Sequence, residues 1–422
     1  MRLILISTIY TLTISLFSSQ ALVVEDLPIG IQTRIGNSET CHDEYKVRAY
    51  DNFPSTFESI LADDIDLLDS TLSSTIHEIK LRGAHRCWHK HSTFLEHLLG
   101  VHNILRLWDQ SHLVSRVGLL HSAYSNSYVN LALFDPKVDS DRQKMQQLVG
   151  IDTENIIHLF CIIDRQQVVV HTLLKQGFIP QNGLNVTHIR DKEQTIYLSP
   201  EILQLLIVFT MADVADQYFE WQDILFGGSE RRNSMLQAGE DDTKQHDSTA
   251  LWPGLSRPGL WMHYVSELGA VARTYHPSTE SEDHRQVNRI EVKIPPVFDF
   301  CTKVLSKEDE DHSRSLYWSV VSESISRDQM ERCLNECIRL NPWIFEPHVM
   351  LAQIYLHRND HIAAEREAKR ALELQQIWGT AWDKRLGFAA WVAWTRVLLQ
   401  RATDRIAWPS NSWEVNNFGL VR

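Results

Sequence analysis

Cysteine is scarce, with six in 422 residues, which is too few for a disulfide scaffold. Beyond the N-terminus no apolar run approaches the roughly 20 residues that a membrane-spanning helix needs, so a transmembrane span is excluded. Positive charge is in deficit. Lys and Arg number 41 against 54 Asp and Glu, a formal net charge of −13, whereas a nucleic-acid backbone requires a basic footprint. General nucleic-acid binding is therefore excluded. There is no glycine-rich phosphate loop, no Gly-x-Ser-x-Gly elbow and no Cys-x-x-Cys pair. Long strand patterns are also missing. What remains is 43% hydrophobic and 23% charged, ordinary for a folded chain, and the length predicts two or three domains.

Apolar residues recur at three- and four-residue spacing. Phe57, Ile60, Leu61, Ile65, Leu67 and Leu68 form one such run. A stronger one, from Phe94 through Leu98, Val101 and Leu105 to Trp108, begins beside Ser92 and Thr93, either of which is a suitable N-cap. Further helices are predicted over about 113–123, 141–149, 153–160 and 201–226, the last opened by Pro200. A short hairpin is predicted over 183–198. The fold class is all-α with at most one small hairpin. The predicted division is 1–21, a signal segment; 22–55, a leader; 56–226, a first helical domain; 227–250, a polar linker; 251–294, a connecting helix and loop; and 295–422, a second helical region.

Residues 1–21 carry Arg2, then an apolar stretch, then small residues at Ser19 and Ala21, the pattern of a cleaved secretory signal. Cleavage would place the protein in the secretory pathway, and Asn185-Val186-Thr187 is a matching glycosylation sequon. Without cleavage the chain is cytoplasmic.

Histidine is the one abundant oddity. Eight of the 20 lie between His77 and His121. His97 falls on the strong helix and His121 on the next, so two antiparallel helices can bring them together. His102, five residues past His97, points about 140° away. The stretch from His85 to His91 is metal-like in composition but lacks a second ligand pair at zinc-finger distance.

Here the chain resembles the HD superfamily of metal-dependent phosphohydrolases, which places a His on one helix, a His-Asp doublet on the next and an Asp on a later helix. The matching positions are His97, His121-Ser122 and Asp213. More closely, residues 80–226 are similar to an uncharacterised HD-like family marked by FLEHL (94–98), LxHSxY (119–124), FCxxDR (160–165) and MADxxDQ (211–217). The resemblance implies a divalent metal, its identity unspecified, held by His97, His121 and Asp213. It also implies hydrolysis of a small phosphorylated substrate. Ser122 departs from the pattern, since a hydroxyl replaces the doublet's carboxylate and is a poor ligand. Two readings stand: a reduced metal site, or His97 and His121 as hydrogen-bonded core residues. Asp164 and Arg165 are candidates to orient substrate or ligands, and Asp216, on the same helix face as Asp213, is a candidate base. His91, Ser122 and Tyr124 are further pocket candidates.

Near the C-terminus, residues 345–376 resemble a tetratricopeptide repeat. Ala352, Ala364 and Ala371 would let two helices approach, Leu351, Tyr355 and Leu372 would fill the groove, and Asn359-Asp360 would make the turn. One repeat cannot bury its own face, so flanking helices over 315–340 and 378–401 are expected to stack on it. The resemblance implies a surface for a protein or peptide partner; the other reading is a helical hairpin packed on the rest of the chain. Trp378, Trp382, Trp391, Trp394, Trp408 and Trp413 suit either. The functional expectation is a metal-dependent, HD-like phosphohydrolase with an incomplete site coupled to an interaction module. The alternative is a non-catalytic scaffold with a vestigial site.

Overall fold

The structure, a computed structural model, describes residues 53–89, 92–125, 132–218, 260–276, 290–295, 307–378, 381, 383, 386 and 388–409. The expected signal segment, nearly all of the leader and the polar linker lie outside the described residues, as do His91, Trp382 and Trp413. No helix among the described residues is long and apolar enough to cross a membrane.

The described chain is all-α apart from two short antiparallel ladders. The run expected at 57–68 divides into α1 (Ser55–Leu61) and α2 (Ile65–Leu68). The break comes at Asp63, whose φ is 58°, and Asp64 then caps α2 by accepting from the Leu67 amide at 3.4 Å. After α3 (Leu72–Leu81) come β1 (Trp88–His89) and β2 (Ser92–Thr93), paired Trp88 to Thr93. This ladder exceeds the single hairpin expected. Two residues per strand are too few for alternation to register in a sequence.

Thr93 starts α4 (Phe94–Leu107) through a reciprocal cap: its hydroxyl accepts from the Glu96 amide at 3.2 Å, and the Glu96 carboxylate accepts from the Thr93 amide at 2.9 Å. After four intervening residues α5 (His112–Leu120) begins, capped by Ser111. The two helices pack closely because Gly118 presents no side chain to Leu105. α6 (Asp139–Val149) and α7 (Ile151–Ile162) meet at Gly150, whose φ of 90° is a glycine conformation. A π-helical segment, Gln167–Leu174, leads to the expected hairpin β3 (Leu184–Thr187) and β4 (Thr195–Leu198), in register Leu184 to Leu198.

α8 (Pro200–Tyr218) is apolar almost all round, with Leu203, Leu205, Leu206, Ile207 and Val208 buried, as a central helix must be. It packs on α4, and its far side is covered by α9 (Leu260–Ala272). Gln204 on α8 donates to the carbonyls of Ala272 and Tyr275 at 2.9 and 3.2 Å.

The C-terminal helices are α10 (Lys307–Ser322), α11 (Arg327–Leu340), α12 (Glu346–His357), α13 (His361–Trp378) and α14 (Phe388–Thr403), each packed on the next. The helix expected over 315–340 is thus two, parted at Ser326, which caps α11 with Gln329. Asn359 makes the α12–α13 turn with φ 59°, and Asp360 caps α13 by accepting from the Ala363 amide at 3.1 Å. Ala352, Ala364, Ala371, Leu351 and Leu372 are all buried. The Tyr355 hydroxyl reaches back to Glu331 on α11 at 2.9 Å. Cys333 and Cys337 are free thiols.

The stack is joined to the first bundle. Phe57 on α1, Leu107 on α4 and Leu372 on α13 form one apolar cluster. The Trp108 indole donates to the Ile377 carbonyl at 3.2 Å.

Candidate metal centre

Three helical regions converge at one buried point. α4 supplies His97, the turn closing α5 supplies His121, and α8 supplies Asp213. One donor atom from each lies within 4.8 Å of the other two, and all three residues are buried. The Asp213 Oδ1 is 3.5 Å from His97 Nε2 and 4.0 Å from His121 Nε2. Around a tetrahedral ion with bonds of 2.0–2.2 Å, ligand atoms stand roughly 3.3–3.5 Å apart. A small contraction therefore brings this set to coordination distance.

Hydrogen bonds on the outer nitrogens settle which lone pairs face inward. His121 Nδ1 is 2.7 Å from the Gly118 carbonyl, which only accepts, so Nδ1 carries the proton. His97 Nδ1 is 2.6 Å from the Asp216 carboxylate, with the same consequence. Each ring then turns its Nε2 toward Asp213, the arrangement in which imidazoles bind metals. Burial pushes His121 down to about 3, so it stays neutral at ordinary pH. For Asp213, burial alone would raise the carboxyl. The Arg165 guanidinium, 2.6 Å from Oδ2, more than reverses this and holds the group well below the usual carboxylate range. Arg165 occupies one carboxylate oxygen and leaves the other facing the imidazoles.

Aromatic rings wall the cluster. Phe209 lies 4.8 Å from the His121 ring and carries the Arg165 guanidinium over its face, also at 4.8 Å. Phe160 stacks on Phe209 at 5.4 Å. On the other side the His89 ring is 5.0 Å from that of His97. The sequence marked the 85–91 stretch only as metal-like in composition; the placement of His89 beside His97 comes with the β1–β2 ladder.

Of the other candidates, Asp164 and Tyr124 face other partners. Asp164 is exposed and accepts from the Gln167 amide at 3.1 Å, capping the next helical turn. Tyr124 is buried with its hydroxyl committed to Glu154 at 2.9 Å, and burial with that carboxylate raises its phenol pKa. Glu154 is in turn gripped by Arg142 at 2.8 and 2.9 Å, a structural network. Ser122 is fully buried directly after His121. Asp216 lies against His97, occupied as a hydrogen-bond acceptor. Gly100, which faces Asp216, carries no signal in the sequence, because a lone glycine in a helix does not reveal which neighbour it admits.

No curated protein and no solved structure matches the chain. Residues 78–165, which carry His97, His121 and Arg165 but not Asp213, match a family described as a domain of unknown function, DUF6817.

Proposed function

We propose that the first helical region is an HD-like, metal-dependent phosphohydrolase domain, and that the C-terminal helices are a tetratricopeptide-like module for a protein or peptide partner. The observation that carries the enzymatic part is the donor set itself: two imidazoles with inward Nε2 lone pairs and one carboxylate oxygen within 4.8 Å of one another. Three protein ligands of this kind leave coordination positions open, as catalytic rather than structural sites do. A divalent ion held there would supply Lewis-acid polarisation of a phosphoester oxygen and a hydrolytic nucleophile at neutral pH. Arg165 balances the charge on Asp213 and holds its second oxygen. Phe160 and Phe209 keep bulk water from the inner side, where charge interactions are correspondingly stronger. The interaction module is supported by the buried alanines between α12 and α13 and by the Asn359-Asp360 turn.

A second reading, a non-catalytic scaffold, is favoured by two particulars. Ser122 replaces the carboxylate of the doublet, and a guanidinium already sits on Asp213 where a second cation would bind. Metal content and turnover separate the two. Purified protein is expected to hold about one divalent ion per chain, to lose it in His121→Ala, and to hydrolyse bis-p-nitrophenyl phosphate in a metal-dependent way. Well-folded, metal-free protein that does not take up Zn²⁺ or Mn²⁺ overturns the enzymatic reading. Metal without turnover leaves the ion structural.

A further inference from the structure

One helix holds both nitrogens of the His97 ring. Asp213 and Asp216 stand three residues apart on α8, and so on one face. Asp213 Oδ1 lies 3.5 Å from Nε2, and Asp216 Oδ2 lies 2.6 Å from Nδ1. Asp216 can come this close because residue 100, on the turn of α4 after His97, is glycine. A Cβ added to Gly100 would fall 1.8 Å from Asp216 Oδ1 and 2.7 Å from its Cγ, and the three nearest atoms it meets all belong to that carboxylate. The backbone does not ask for glycine here. Gly100 sits within α4 and is not among the glycines with positive φ, and glycine inside a helix is unfavourable relative to alanine. Its use at this point is the space it leaves.

We propose that Asp216 is a positioning residue, which keeps the proton of His97 on Nδ1 and its Nε2 directed at Asp213, and that Gly100 is the residue that admits it. Asp216 therefore acts through the imidazole rather than as a free base. The consequence for metal affinity rests on the metal reading above; the consequence for the imidazole does not.

The test is Gly100→Ala, which favours the helix while evicting the carboxylate. In metal-free protein, long-range ¹⁵N–¹H spectra report which nitrogen of the His97 ring carries the proton, the signal being assigned by its loss in His97→Gln. The native ring is expected with its proton on Nδ1, and Gly100→Ala is expected to shift it toward Nε2 with helix content unchanged. Zn²⁺ affinity, by competition with a chromophoric chelator, is expected to fall roughly 10–100-fold in Gly100→Ala and in Asp216→Ala. The double variant is expected to be no weaker than Asp216→Ala alone, because the added methyl then has nothing to displace. An unchanged tautomer in Gly100→Ala, or losses that multiply in the double variant, would overturn the proposal. If the native chain takes up no Zn²⁺, the metal reading fails by itself, and the spectra still decide the role of Asp216 and Gly100.

Discussion

His102 is an imidazole with no exposed surface, bonded through Nδ1 to the Asn103 side chain at 3.0 Å. Burial pushes it down to about 4 from an ordinary 6.5. The folded state therefore binds this proton less readily than the unfolded chain. The corresponding stability is fully present above pH 6.5 and is lost as pH falls toward 4, at up to about 1.4 kcal/mol per unit. His121, driven lower still, acts in the same direction. His102→Gln is expected to remove up to about 3 kcal/mol of the difference in unfolding free energy between pH 7 and pH 4; equal urea-midpoint shifts in both proteins would refute this. At this scale the sequence was informative for residues set in a motif. His97, His121 and Asp213 could be named from FLEHL, LxHSxY and MADxxDQ, and Arg165 as an orienting group from FCxxDR. Asp164 and Tyr124 sit in the same motifs but face other partners, because neighbouring residues on a turn point in different directions. Asp216 could be placed on the face of Asp213, but its contact with the far nitrogen of His97 depends on how close α4 comes.

Among the elements, α4 and α5 set the separation of the two histidines. A Cβ on Gly118 would lie 2.4 Å from Leu105 Cδ1 and 3.3 Å from Val101 Cγ1, both on buried residues. Gly118→Ala therefore overpacks the seam by more than the helix gains from alanine, with an expected net loss of about 1–2 kcal/mol in chemical unfolding. The Gly118 carbonyl holds His121 Nδ1, so the same variant is expected to weaken Zn²⁺ binding; unchanged stability would show that the seam has slack. Helices with a strong period and a cap were legible: α4 behind Thr93, α8 behind Pro200, and the turn at Asn359. The π-helical segment was not, since Val168, Val169 and Val170 form a β-branched run that gives no helical period. The β1–β2 ladder was not legible either, because two residues per strand carry no pattern.

Across the whole molecule, the first bundle and the C-terminal stack share buried surface. Trp108, 5% exposed, donates to the Ile377 carbonyl, and Gln110 also ties in the segment between the two, bracketing the backbone of Lys293 through bonds of 2.6 and 3.2 Å. These contacts predict one cooperative unfolding transition for the full chain. Trp108→Phe, which keeps an aromatic ring but strands the carbonyl, is expected to cost about 1–3 kcal/mol and to begin separating the stack from the bundle. Two transitions already present in the native protein, by circular dichroism and tryptophan fluorescence, would contradict this coupling. Packing of the C-terminal helices on the rest of the chain was one of the two readings that the sequence offered; which residues meet was not legible, because the contact joins Phe57, Leu107 and Leu372 across some 315 positions of sequence.

The spacing between His97 and Trp108 has a consequence for how this chain can vary. Eleven residues at 100° each return to within about 20° of the starting direction, some 16 Å further along the axis. The imidazole on α4 and the indole of the residue that caps its C-terminus thus project along one stripe, the first toward Asp213 and the second toward Ile377. Substitutions along α4 leave this phase intact, whereas adding or deleting one residue between the two swings them about 100° out of step. Relatives with this architecture should differ freely in loop length on either side of α4 and hardly at all in the length of that helix.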